Sequence, residues 1–196
     1  MADPTLGRKR RYAGAFARTQ QPCLIFPSLS DRGFQADCFA LFARWSALSG
    51  GAHAAAVQAE QAALRRCFAL GARDGMRAIG LVVRGDLAGY CITERLGNRF
   101  CLGHFIKTDH AYAGCTDYLL RHAAIVHAEA GDRFINFEQD LGLPGLRRWK
   151  ESWHPVGFLR KYAIASPADC PGAPTCLTPR GDHLPHRGDG RTLPHA

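Results

Sequence analysis

The sequence has no C-x-x-C pair, no G-x-S-x-G elbow and no apolar run near the ~20 residues that a membrane helix needs. These absences argue against the simplest dithiol and zinc motifs, a hydrolase-type serine nucleophile and a membrane span. No cysteine stands near a histidine in a recognisable frame, so a cysteine nucleophile is not expected either. Eight cysteines are nevertheless present, at 23, 38, 67, 91, 101, 115, 170 and 176. Six fall in apolar segments, where a reduced thiol packs as a small hydrophobe. Cys170 and Cys176 lie in a polar tail with histidines, but their spacing fits no zinc pattern. The opening "MADPTLGRKRRYAG" is basic but leads into no apolar core, unlike a secretory leader. The expectation is a reduced, cytoplasmic protein, with the membrane surface as a second possible place of work. Acid is scarce as well: 17 Asp and Glu stand against 25 Lys and Arg, a net charge of +8. That balance disfavours cationic partners. It suits a polyanion such as nucleic acid, anionic lipid or a phosphorylated donor, or it reflects arginine used for solubility.

What is present is enough for one domain, since 46% of the 196 residues are hydrophobic. Residues 1–22 are basic and short of large apolar side chains, and read as a loose arm. Apolar residues at 34, 38, 41, 42, 45 and 48 form one helical stripe. Residues 51–70 are Ala-rich and read as a second helix. Three antiparallel strands are expected at about 77–83, 87–95 and 99–106, turned at Gly85-Asp86 and Gly97-Asn98. A long helix follows over 112–130, with Asp109 as its cap. "RFINFE" reads as a strand, "PGLRRWKESW" as a short helix opened by Pro144, and "GFLRKYAIA" as a last strand. From 166 to 196 the chain is Pro, Gly, His and Arg and is expected to be a disordered tail. The tail holds a loose repeat, "RGDHLPH" and "RGDGRTLPH", whose RGD triplets read as turn chemistry. The domain proper is then 23–165.

Two helices, three antiparallel strands, a long helix, a strand, a helix and a strand is the order of the GNAT acyltransferase fold. The fold class is therefore α/β (α+β): a mixed, mostly antiparallel sheet flanked by helices, in a single copy. In that fold the strands before and after the long helix splay apart. The gap admits an activated acyl donor, whose phosphates can meet the N-terminus of the long helix.

Within this frame, "HFIKTDHAYAGCTDYLLRHAA" and "FINFEQDLGLPGLRRWKESWHPVGFLRKY" are specific. They resemble bacterial proteins related to the C-terminal domain of phosphatidylglycerol lysyltransferase. The shared pattern is a Lys and a Gly segment opening the long helix, then N-x-E-x-D-L-G, G-L-R-x-x-K, an aromatic, Pro and a closing K-Y. This chain supplies Lys107, Gly114, Asn136, Glu138, Asp140, Leu141, Gly142, Gly145, Leu146, Arg147, Lys150, Trp153, Pro155, Lys161 and Tyr162. The strong match covers about 104–164. The lysyltransferase itself differs at the acidic strand end, so its lipid substrate does not carry over.

The resemblance implies an acyltransferase that takes an amino acid from aminoacyl-tRNA to an amine or hydroxyl on a small molecule or lipid head group. No tightly bound cofactor and no metal are implied; aminoacyl-tRNA or acyl-CoA would be the donor substrate. Relatives often carry two tandem copies, so a homodimer could replace the second one here. The acetyl-CoA turn [RQ]-x-x-G-x-[GA] is degenerate, because the segment reads Ala111-Tyr112-Ala113-Gly114-Cys115-Thr116. An acyl-CoA enzyme and a silent RNA- or lipid-binding domain remain the alternatives.

Glu138 and Asp140 are the candidate catalytic acids, with Tyr162 as a candidate general acid. On an extended segment both acids would share a face, and each would push the other's pKa upward. The competing reading has Asp140 capping the next helix and Glu138 paired with Arg147 or Lys150. Lys107, Gly114, Arg147 and Lys150 are the candidate donor-binding residues. Lys107 could instead pair with Asp109 or Glu138. Trp149 and Trp153 offer stacking surfaces or pack on the sheet.

Overall fold

A computed structural model describes residues 4–48, 54–71, 73, 75–97 and 99–159. The sheet-bearing compact unit is Met1–Val156. Its elements run α1 (Pro4–Gln20), β1 (Cys23–Ile25), α2 (Arg32–Ala47), α3 (Ala54–Leu70), β2 (Met76–Val83), β3 (Asp86–Gly97), β4 (Phe100–Thr108), α4 (Cys115–Glu129), β5 (Phe134–Asn136) and α5 (Pro144–Glu151). The strands form one open sheet in the order β1-β2-β3-β4-β5, antiparallel except for the parallel β4–β5 pair. This is the expected mixed, mostly antiparallel architecture.

Local chemistry fixes the elements. Asp31 caps α2 by accepting from the amides of Gly33 (2.8 Å) and Phe34 (3.1 Å), a bond set worth about 1 kcal/mol. Phe34, Cys38, Leu41 and Phe42 then form its buried stripe. They pack with Leu64 and Phe68 of α3 on one face of the sheet, against Tyr90 and Ile92. On the other face, Leu119 and Ala123 of α4 meet Ile79, Leu81 and Cys91. Burial keeps these thiols protonated, pushing Cys91 and Cys115 up to about 12. They pack as the small hydrophobes that the sequence suggests.

Three expectations need correction. Residues 4–20 are not a loose arm but helix α1, which packs on the α4 face through Ala13 and the fully buried Phe16. Few apolar residues suffice because Phe16 meets Tyr112 edge-on and Tyr118 at a tilt, and α1 lies directly on the Gly114 backbone. Asp109 does not cap α4; it accepts from the Ala111 amide and pairs with Arg44, and Gly114 is the N-cap. Glu138 and Asp140 are not on an extended strand, because β5 ends at Asn136 and Glu138 turns left-handed at φ 56°. Residues 157–159 belong to no strand, and the rest of the expected last strand and the tail lie outside the described residues.

Candidate functional site

The site begins where β4 and β5 part. They pair in parallel from Phe100↔Phe134 to Leu102↔Asn136 and no further. Beyond that point Phe137 packs over Gly103, where any Cβ would sit 2.9 Å from its ring. One step along β4 the antiparallel ladder with β3 slips: Ile92 opposes Phe105 while Thr93 opposes Gly103. His104 is the extra residue of this bulge. A bulge re-aims a side chain at a strand edge, and here the imidazole reaches into the opening.

His104 joins two carboxylates. Its Nδ1 lies 2.9 Å from Glu138 Oε1, and its Nε2 lies 2.8 Å from Glu94 Oε2. Each of the two bonds needs one proton. The ring supplies both only when it is charged; otherwise one carboxyl must hold a proton. The trio therefore places one imidazole within hydrogen-bond reach of two carboxylates. The Glu138 side chain is 46% exposed and His104 25%, so the trio is open to a substrate. Among the described residues no Lys or Arg forms an ion pair with Glu94 or Glu138.

The segment after β5 is built to hold Glu138 there. Asn136 accepts from the Glu138 amide (2.8 Å), an Asx turn that supports the left-handed backbone. Lys150 of α5 reaches back and donates to the carbonyls of Phe137, Glu138 (3.1 Å) and Gln139 (2.6 Å). Burial pushes its ammonium down from its ordinary range, opposed by the attraction of Asp140 and Glu138. Asp140 accepts from Arg147 and from the Gly142 amide, and these bonds hold its carboxyl down at about 2. The expected upward push between Glu138 and Asp140 is thus replaced, for Asp140, by a downward one from a guanidinium. The competing pairing of Glu138 with Arg147 or Lys150 is not found either; its partner is His104.

The predicted residues therefore divide. Glu138, Asp140, Arg147 and Lys150 come together around one loop, with the two cations engaged in holding it. Lys107 is elsewhere: it is buried against α2 and α3, bonded to Glu60 at 2.6 Å with its ammonium 4.0 Å above the Trp45 ring. Gly114 opens α4 at φ 85°, but a Cβ there would lie 2.3 Å from the Tyr12 carbonyl of α1. The backbone of α1 thus lies directly against the N-cap of α4. Tyr162 lies outside the described residues. Trp149 packs on Phe137 and on Trp153, and Lys9 of α1 stands 4.2 Å over Trp153.

Sequence reasoning missed Glu94 as a partner and did not place His104 among the site residues. It also missed a second cluster. Cys101 Sγ lies 3.4 Å from His127 Nε2, although the sequence shows no Cys–His frame. His127 also bonds Asp132 (2.8 Å) and Thr93 (2.9 Å), and Arg95 bonds Asp132 at 2.8 Å. Burial opposes ionisation of Asp132, but the bonds from His127 and Arg95 outweigh it and hold the carboxyl below its ordinary value. Cys101, His127 and Asp132 could group around a soft metal ion, but burial pushes the Cys101 thiol up and the other atoms already have partners. This cluster ties β3, β4 and α4 together. A groove of about 610 Å³ between Phe26–Leu29, the start of β2 and the end of α4 includes none of these side chains.

A splayed β4–β5 pair beside a long helix defines a GNAT-like acyltransferase fold. Residues 27–165 match the model of the family phosphatidylglycerol lysyltransferase, C-terminal, and the chain belongs to that family. No curated protein matches the sequence. Among solved structures it is similar to a conserved protein of unknown function from Bacteroides thetaiotaomicron VPI-5482. The TM-score is 0.68 at 22% identity over 80% of this chain and 52% of that one. It is also similar to the C-terminal domain assigned to a lysylphosphatidylglycerol synthetase of Agrobacterium fabrum, with a TM-score of 0.53 at 12% identity over 78% of this chain and 52% of that one. A ribosomal-protein-alanine N-acetyltransferase from Brucella melitensis biovar Abortus 2308 gives 0.53 at 16% identity, over 74% of this chain and 99% of that one. The chain spans about half the length of the first two. No described helix is long and apolar enough to cross a membrane.

Proposed function

We propose that the chain transfers an aminoacyl group from aminoacyl-tRNA to an amine or hydroxyl acceptor by direct attack. Glu138 takes the acceptor's proton as the new bond to the ester carbonyl forms. The bond from that carbonyl to the ribose oxygen breaks, and the leaving oxygen takes a proton back from the Glu138 carboxyl. His104 holds Glu138 in place and links it to Glu94. The observation that carries this reading is the Glu138–His104–Glu94 trio at the parting of β4 and β5. No tightly bound cofactor enters the scheme. The acceptor is a small molecule or a lipid head group.

The acyl-CoA alternative fits less well. Its pyrophosphate cradle is degenerate in sequence, and α1 lies over Gly114. The test is incubation with charged tRNA pools and with acyl-CoAs, following release of free tRNA or of thiol. Acceptor-dependent release of uncharged tRNA is expected. Thiol release, together with micromolar acetyl-CoA affinity (about −8 kcal/mol), would replace this reading with the alternative.

A further inference from the structure

Helix α1 carries five bases, Arg8, Lys9, Arg10, Arg11 and Arg18, and no acid. They do not all face the same way. Lys9 turns inward, with its side chain 12% exposed, pairs with Asp117 at 3.6 Å and stands over Trp153. Arg8, Arg10, Arg11 and Arg18 are exposed. At 100° per residue, Arg8, Arg11 and Arg18 fall within one third of the helix circumference, opposite the buried Ala13 and Phe16. From Arg8 to Arg18 the helix rises about 15 Å. Tyr12, 50% exposed, borders this cationic stripe, about 40° around the helix from Arg8.

We infer that this face of α1 is a docking surface for single-stranded RNA, and that it receives the donor's unpaired end. The inference rests on the reading of the donor as an aminoacyl-RNA. Two observations favour RNA over a membrane. An interfacial helix sinks its apolar face into lipid, but the apolar face of α1 is already buried on α4. What α1 presents instead is arginine for phosphates and one aromatic ring for a base, the pairing that single strands use. A third observation connects the surface to the chemistry. From Lys9 the contacts run to Trp153, then Trp149, then Phe137, the neighbour of Glu138. Through its inward side α1 is thereby joined to the loop that holds the proton acceptor. Docking on α1 also explains its place against the N-cap of α4: the donor phosphates are met by side chains rather than by helix amides.

The test uses the full chain, a labelled short mixed-sequence RNA, and phosphatidylcholine vesicles with and without phosphatidylglycerol. Affinity is measured across salt for wild type, for Arg8→Gln/Arg11→Gln/Arg18→Gln, and for a control triple elsewhere, Arg66→Gln/Arg121→Gln/Arg133→Gln. The expected result is RNA binding whose salt slope falls by about 2 in the α1 triple and much less in the control. Tyr12→Ala should weaken RNA binding without changing that slope. Melting curves establish that the variants are folded, and Tyr12→Ala serves alone if the triple is not. Equal losses in both triples, RNA binding indifferent to α1, or a preference for anionic vesicles would each overturn the assignment. The transferase reading fails separately: RNA held through α1 with no tRNA discharge removes that reading and leaves the surface. Discharge that ignores the α1 triple does the reverse.

Discussion

His104 and His127 each hold a carboxylate, and their surroundings differ in charge and in access. His127 is sealed in the core, with one carboxylate, Asp132, balanced by Arg95 and with a Thr93 hydroxyl on its second nitrogen. His104 stands at an open mouth between two carboxylates, with no Lys or Arg ion-paired to either among the described residues. Each of its ring nitrogens faces a carboxylate. The first arrangement is buried among neutralising partners, and the second is open with an excess of acid. A histidine beside an acid is thus not by itself a sign of chemistry; acid excess and exposure separate the two.

The comparison breaks most easily at the sealed joint. Asp132→Ala should cost about 3–5 kcal/mol in urea unfolding, because it leaves a buried polar cluster without its charge. Turnover per folded molecule should stay unchanged; a lost activity with full stability would reverse the roles assigned to the two histidines. At the open mouth, His104→Gln should lower turnover by about 10²-fold while stability moves by no more than about 0.5 kcal/mol. Next in size is Gly114→Ala, which belongs to the scaffold half. The left-handed backbone alone costs about 1–2 kcal/mol, and the Tyr12 carbonyl must give way. A lower melting temperature and faster proteolysis within α1 are expected. The smallest effect is on Asp140. Its pKa is depressed in the folded state, so the stability it contributes is present above its ordinary value of 3.8 and is lost as pH falls toward about 2. In Arg147→Gln an NMR titration should return Asp140 toward that ordinary value, with little change at neutral pH.

Much of this was legible in the sequence. The helical stripe from Phe34, the hairpin signal at Gly85-Asp86, the strand end at Gly97 and the Pro144 helix start all came out as expected, because each is a local signal. The acids after β5 and the basic helix beyond them do meet at one loop. What was not legible depends on distant contacts. Helix α1 is anchored by one phenylalanine and by close approach to a glycine about a hundred residues away, which no periodicity reveals. Lys107 found Glu60 and Trp45 because they lie on the same face of the sheet, far from it in sequence. The His104 bulge follows from a slipped ladder, and nothing in "LGHFIK" marks which residue is extra. Cys101 and His127 meet only because α4 lies across β4.

Single-turnover discharge of aminoacyl-tRNA by Glu138→Gln, with donor affinity measured in parallel, bears most directly on the proton acceptor. Glutamine keeps the shape of the side chain and loses its basicity. The rate should fall by about 10²–10⁴-fold with donor affinity little changed, because the contact matters chiefly in the transition state. Full turnover in Glu138→Gln would contradict the account and leave the acids around His104 as structure alone.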